Sequence, residues 1–177
     1  DTAPSGSTSL YTLAQKLGVR ARRIDAPAIV ESPEPCAAIL RESSVRTALE
    51  LSTTVDTAWA GIGSVGVPGG SSEQLLAAMR LTGAELAQVR AADPAGDFCG
   101  RFFDDDGVPL SGPTSSRVIG VSFDDLRQIP TVVGLAGGVG KARGVLAVLR
   151  SGVIDVAVLD AELATEVLRR HAGSRVR

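Results

Sequence analysis

"TVVGLAGGVGKARGVLAVLRSGVIDVAVLD" spans residues 131–160. It opens on an apolar run and turns through Gly137, Gly138 and Gly140 to Lys141. A helix-spaced segment follows, then a second apolar run. Continuous apolar runs suit parallel strands buried on both faces, whereas half-solvated strands alternate. Strand, glycine turn, helix and strand in that order predict an α/β domain with a mostly parallel sheet.

The rest of the chain fits that pattern. "SLYTLAQKLG" places Leu10, Leu13, Ala14 and Leu17 at helical spacing, and Gly18 closes the helix. "VRARRIDAPAIV" alternates and meets prolines, so a strand running into an extended segment is expected. "SPEPCAAILRESSVRTALELSTTV" reads as one or two helices. Thr57–Ile62 reads as a short buried strand that ends in a glycine turn. "SSEQLLAAMRLTGAELAQVRAAD" reads as helical, with Ser71 or Ser72 as the cap and Gly83 as a break. "AGDFCGRFFDDDGVPL" reads as a hairpin insertion turning at Asp105-Asp106-Gly107. Ser122 and Asp125 form a capping pair, and a terminal helix, "AELATEVLRRHAG", ends the pattern.

Composition bounds the function. The 177 residues are 44% hydrophobic and 21% charged, with a formal net charge of −2, so one globular domain is expected. That charge gives no field for nucleic acid or anionic lipid, and no apolar run is long enough to cross a membrane. The first residues lack the basic and apolar regions of a signal peptide, and the two cysteines, read as free thiols, point to a cytoplasmic protein. The absence of an initiator Met points to a fragment. Cys36 and Cys99 are far apart and outside any CxxC pair, so they are read as two buried thiols, and a disulfide between them stays open. Aromatic residues are 3%, too few for base or sugar stacking to dominate binding.

In parallel sheets, ligands gather at the carboxyl ends of strands, where helix N-termini favour anions. Gly137, Gly138 and Gly140 let a backbone approach a ligand, and Lys141 adds a point charge suited to phosphate. A small phosphorylated ligand is the reading the residues carry. A P-loop fails, because Leu135 stands where its first glycine belongs and Ala142 where its hydroxyl belongs. A nicotinamide dinucleotide fold is a minority reading, with Asp160 at the ribose position. A tight turn with Lys141 in solvent is the plainer alternative. Against it, the chain has one other lysine, Lys16, among many arginines. Gly61, Ile62, Gly63 and Ser64 follow another apolar strand and would sit on the same edge. Asp97 is read either as an acceptor for sugar hydroxyls or as a turn cap. Arg101 is read as a partner of phosphate or, more plainly, of Asp104 to Asp106. His171 lies in a basic helix end, and no nucleophile–base constellation assembles around it. No enzyme activity, cofactor or metal site is therefore expected.

The order of the motifs "DAPAIVES", "SSVRTALELSTTVDTAWAGIGSVG", "AGDFCGRFFDDDGVPL" and "RVIGVSFDDLRQIPTVVGLAGGVGKARGVLAVLRSGVIDVAVLDAELATEVL" resembles the effector-binding domain of SorC-type bacterial transcription regulators, shared by some DeoR-named ones. The resemblance runs through nearly the whole chain. It implies a three-layer Rossmann-like fold related to sugar-phosphate isomerases and deaminases, used for sensing rather than catalysis. The implied effector is a phosphorylated sugar that changes how a tetramer grips DNA. Carried onto this chain, Gly137, Gly138 and Lys141 match the phosphate-side turn, Asp97 an acidic effector-facing position, and Gly61 and Gly63 the neighbouring glycine turn. Nothing here resembles the family's helix-turn-helix, so DNA contact is expected only through a domain outside residues 1–177. The domain's first strands are expected to be missing too. That would leave apolar surface exposed where they pack.

Overall fold

A computed structural model describes residues 6–174. Helix α1 (Gly6–Leu17) forms on the predicted apolar spacing and stops where Gly18 takes a φ of +66°. Helices α2 (Pro33–Arg41) and α3 (Ser43–Ser52) follow, the first with proline at its start. Strand β1 (Thr57–Gly61) leads to helices α4 (Ser71–Ala78) and α5 (Gly83–Ala91). A hairpin, β2 (Gly96–Phe98) and β3 (Arg101–Phe103), comes next. Helix α6 (Phe123–Leu126) precedes β4 (Thr131–Ala136), α7 (Ala142–Arg150), β5 (Val156–Leu159) and α8 (Ala161–Ser174).

The α/β class, the parallel sheet and the hairpin are as expected. β4 is the middle strand, paired in parallel with β1 and with β5. Under one face lies the main core, with Ile62, Phe98, Phe103, Phe123, Val145 and Leu163 at its centre. Gly134 sits in the middle of β4 because a Cβ there would come within 2.6 Å of Ile154 and 2.9 Å of Ile62.

Five local expectations differ from the structure. Residues 19–28 form no strand; only Ile29 bridges Val118. Pro27 removes a ladder donor there, and Arg20, Arg22 and Arg23 load the segment with charge. Gly70, not Ser71 or Ser72, is the cap of α4. The break between α4 and α5 is made by Arg80 in the left-handed region and by a Thr82–Glu85 capping box, which leaves Gly83 as the first residue of α5. The hairpin turns at Cys99-Gly100, both at positive φ (+51° and +75°), the geometry of a two-residue primed turn. Asp104–Gly107 makes a second turn, which returns Pro109 to Phe103. Finally, the sheet is not buried on both faces. Trp59 is 68% exposed, Val156 44% and Val158 50%. The register places Trp59, Val133 and Val156 in one row, with Leu135 and Val158 in the next, all on the face away from the core.

Candidate functional site

β1 and β4 run side by side, with Gly61 opposite Leu135, so their carboxyl ends and following turns lie together. The Ile62 N–H donates to the Leu135 carbonyl at 2.8 Å, which carries the pairing one residue past β1. Beyond it, the Gly63 N–H donates to the Asp97 carbonyl at 2.9 Å, and the Val65 N–H to that of Ala95 at 3.1 Å. The hairpin is thereby stitched onto the glycine turn. Gly63 is required at this point: a Cβ would fall 2.4 Å from Ser72 Oγ and closer still to the Asp97 carboxylate.

After β4, Gly138 takes a φ of +92°, and Val139–Lys141 make a 3-10 turn that enters α7. The Lys141 ammonium reaches across and donates to the Ile62 carbonyl at 3.1 Å. This one contact ties the two turns together at the carboxyl edge. Asp97 lies beside them, 8% exposed, accepting from Ser72 Oγ at 2.6 Å. Burial pushes its carboxyl above the ordinary 3.8, opposed by the Ser72 hydrogen bond, the Lys141 charge and the Gly100 N–H. Ser64 is buried as well; it donates to the Ala95 carbonyl at 3.3 Å and accepts from the Gly144 N–H at 3.2 Å.

The structure therefore brings Gly61, Gly63, Asp97 and Lys141 to one edge. Gly137 and Gly138 lie on the outer side of the turn, next to Asp160. The Gly138 N–H donates to Asp160 Oδ2 at 2.5 Å, and the Leu163 N–H to Oδ1 at 2.8 Å. Asp160, the ribose candidate of the dinucleotide reading, is thus spent on a turn and on the start of α8. Ser64 is read onto this edge from the sequence; Ser72 is not legible as a site residue. Ser72 reads as a helix cap, and its pairing with Asp97 spans 25 positions.

Other candidates resolve into structural roles. Arg101 does not pair with Asp104 to Asp106; its guanidinium donates to the carbonyls of Val121, Ser115 and Gly120 at 2.9–3.3 Å. Arg143 takes Asp105 and Asp93 instead. Both cysteines are free; Cys36 is buried and Cys99 partly so. Burial pushes the Cys99 thiol up to about 11, so it carries little thiolate near neutral pH.

The raised carboxyl of Asp97 makes a pH prediction. A group whose folded-state value is raised stabilises the fold below its unfolded value, and that contribution is lost as pH rises through the folded value. Asp97→Asn removes the titration. The variant should therefore gain stability relative to the unsubstituted protein as pH rises above the ordinary aspartate range. Urea titrations at several pH values read this directly, and parallel curves would contradict the assigned burial cost.

Residues 3–169 match the family described as "Putative sugar-binding domain". The chain belongs to that family. The sugar-binding domain is 34% identical over 146 residues to the transcriptional regulator LsrR of Klebsiella pneumoniae, a match covering 82% of this chain and 45% of the regulator. A crystal structure described as "Putative Sugar-Binding Domain of Transcriptional Repressor" from Vibrio fischeri superposes with a TM-score of 0.83. It is 29% identical, covering 92% of this chain and 63% of the other. The full-length sorbitol operon regulator SorC of Klebsiella pneumoniae superposes at 0.79 and 27% identity, over 89% of this chain and 50% of the other. The sugar-binding domain described here thus spans about half the length of the curated relatives it matches. Among the described residues no helix is long and apolar enough to cross a membrane.

Proposed function

We propose that this domain is the effector sensor of a bacterial transcription regulator and binds a phosphorylated sugar at the joined carboxyl ends of β1 and β4. The observation that carries the reading is the Lys141 contact across to Ile62, beside the buried Asp97, at the edge where parallel sheets hold ligands. In this reading the phosphate takes the Lys141 ammonium in exchange for the Ile62 carbonyl, together with free N–H groups of the Gly137–Lys141 turn. Asp97, oriented by Ser72, accepts from sugar hydroxyls. Gly61 and Gly63 keep the floor of the site free of side chains. Ligand occupancy then biases how the assembled regulator, a tetramer by resemblance, holds DNA through a separate reader domain.

A sugar-phosphate isomerase or deaminase would need a base that exchanges protons with substrate, and Asp97 is the sole candidate. Its hydrogen bond from Ser72 and its place against Gly63 suit a fixed acceptor better than a proton shuttle. The dinucleotide reading is weakened by the commitment of Asp160 to Gly138 and Leu163.

A thermal-shift screen tests the proposal, since a ligand that binds the folded state raises Tm by mass action. The expected result is a rise with one sugar phosphate, none with its parent sugar or with NAD, and no turnover of the bound compound. Lys141→Ala should cost about 1.5–3 kcal/mol of binding, the scale of a hydrogen bond to a charged group. Turnover, or a shift with NAD alone, would overturn the sensor reading.

A further inference from the structure

α7 meets the candidate site through bare backbone. A Cβ on Gly96 would fall against the Gly63 carbonyl and 3.1 Å from Gly144 Cα, and one on Gly144 would fall against the same carbonyl. Three glycines therefore face one another where the turn after β1, the hairpin and α7 come together. Packed helices are held in register by side chains that interlock as ridges and grooves, and at this point there are none to interlock. Directional bonds must fix where α7 begins. The Gly144 N–H supplies one, to Ser64 Oγ at 3.2 Å. Arg143, the second residue of α7, supplies five. Its Nε and Nη2 donate to the two carboxylate oxygens of Asp105 at 2.8 and 2.9 Å. Its Nη1 and Nη2 donate to those of Asp93 at 3.2 and 2.9 Å, and Nη2 also to the Asp93 carbonyl at 3.1 Å. Asp93 lies before β2 and Asp105 after β3, so one guanidinium grips the chain on both sides of the hairpin that carries Asp97.

We infer that Arg143 is a positioning residue for the effector site: by clamping the start of α7 to the hairpin, it sets the spacing between Lys141 and Asp97. The Asp93 and Asp105 side chains are 77% and 57% exposed, so the clamp adds little to stability. What the fork adds is direction, since a bidentate guanidinium–carboxylate pair fixes both distance and angle. Lys141 stands two residues before Arg143, and Asp97 four residues after Asp93. A shift of α7 along the glycine contact moves the ammonium and leaves the carboxylate behind. Arg143 acts through Lys141 and not on the ligand, because its guanidinium is engaged by the two aspartates. The inference rests on the proposed effector reading for its ligand, while the clamp itself is tested without one.

Two variants separate this role from a direct charge effect. Arg143→Met removes the fork. Asp93→Asn combined with Asp105→Asn removes its charged partners and keeps the cation, and it leaves the Arg150 contact to the Asp105 carbonyl in place. The probe is inorganic phosphate, followed by the chemical shifts of the amides of residues 138–141. Both variants should weaken phosphate binding by about tenfold. On charge alone the double variant should bind phosphate more tightly, because two negative charges are gone; that result would overturn the inference. In a Lys141→Ala background, Arg143→Met should change phosphate affinity by less than about twofold. Equal losses in both backgrounds would mark a general structural part and also overturn it. In ligand-free protein, exchange of the Gly144 amide should quicken by about tenfold in both variants, with urea titrations showing that each is folded. Unchanged exchange would reject the clamp whether or not the chain binds phosphate. Quickened exchange in a chain that binds no phosphate would keep the clamp and reject the proposed ligand.

Discussion

Phe103→Ala should lower the unfolding free energy by about 3–5 kcal/mol, the range for removing a fully buried phenylalanine. Phe103 is 0% exposed and tilts against Phe123 at 6.0 Å between ring centroids, and Phe98 meets the same ring edge-on at 6.5 Å. Three of the chain's four phenylalanines therefore share one cluster beneath the sheet. Phe103 also fixes the hairpin in place, since its carbonyl accepts from the Ala95 N–H at 2.8 Å. The surrounding backbone belongs to β2, α6 and the second turn, which cannot all close on the void. A urea titration measures the loss. A cost under about 1 kcal/mol would mean that the hairpin is not part of the cooperative core.

Gly144→Ala should be nearly as damaging and should also abolish ligand binding. A Cβ at this position falls 2.4 Å from the Gly63 carbonyl and 3.0 Å from Ser64 Cα. Both are backbone atoms, so no rotamer change relieves the clash. Either α7 moves away from the glycine turn or the turn itself is displaced. Overpacking of this kind costs about 1–3 kcal/mol, occasionally more. The functional effect is larger, because α7 begins one residue after Lys141 and the displaced turn holds the Ile62 carbonyl that Lys141 touches. Ser64, whose hydroxyl accepts from the Gly144 N–H, would lose that donor as well. Unfolding and ligand titrations on the same preparation separate the two effects. Unchanged affinity would show that the α7–turn contact does not shape the site.

The parts of the fold that were legible in the sequence rest on strong local signals. The apolar runs at 131–136 and 153–160 and the glycines between them dictate strand, turn and strand whatever surrounds them. The Ser122–Asp125 capping box is likewise read and found, with the Asp125 N–H donating to Ser122 Oγ at 3.0 Å. Signals that compete are harder to weigh. Asp-Asp-Gly is a stronger turn motif than Cys-Gly, so the sequence places the turn at Asp105, six residues after Cys99 where the hairpin turns. Only the packing of Phe98 and Phe103 on one core forces Cys99 into the left-handed region. Burial on both faces of the sheet followed from the apolar runs, but the runs do not say whether the covering layer lies within these residues.

The candidate site was legible to the extent that it is made of glycines and charge. Lys141 stood out by its rarity, and Gly63 by its turn. What the sequence could not carry is the convergence. Lys141 meets Ile62 across 79 positions and Asp97 meets Ser72 across 25. Asp160 shows the same limit from the other side: its spacing suited a ribose contact, and the fold uses it to hold Gly138 and start α8.

The most direct test of the account is a calorimetric cycle of two proteins and two ligands. The proteins are the unsubstituted chain and its Lys141→Ala variant. The ligands are the sugar phosphate found by the thermal-shift screen and its unphosphorylated parent. A phosphate held by Lys141 predicts that the variant weakens the phosphorylated ligand by about 1.5–3 kcal/mol and leaves affinity for the parent sugar essentially unchanged. Equal losses for both ligands, or no loss for either, would contradict the placement of the anion at the Gly137–Lys141 turn.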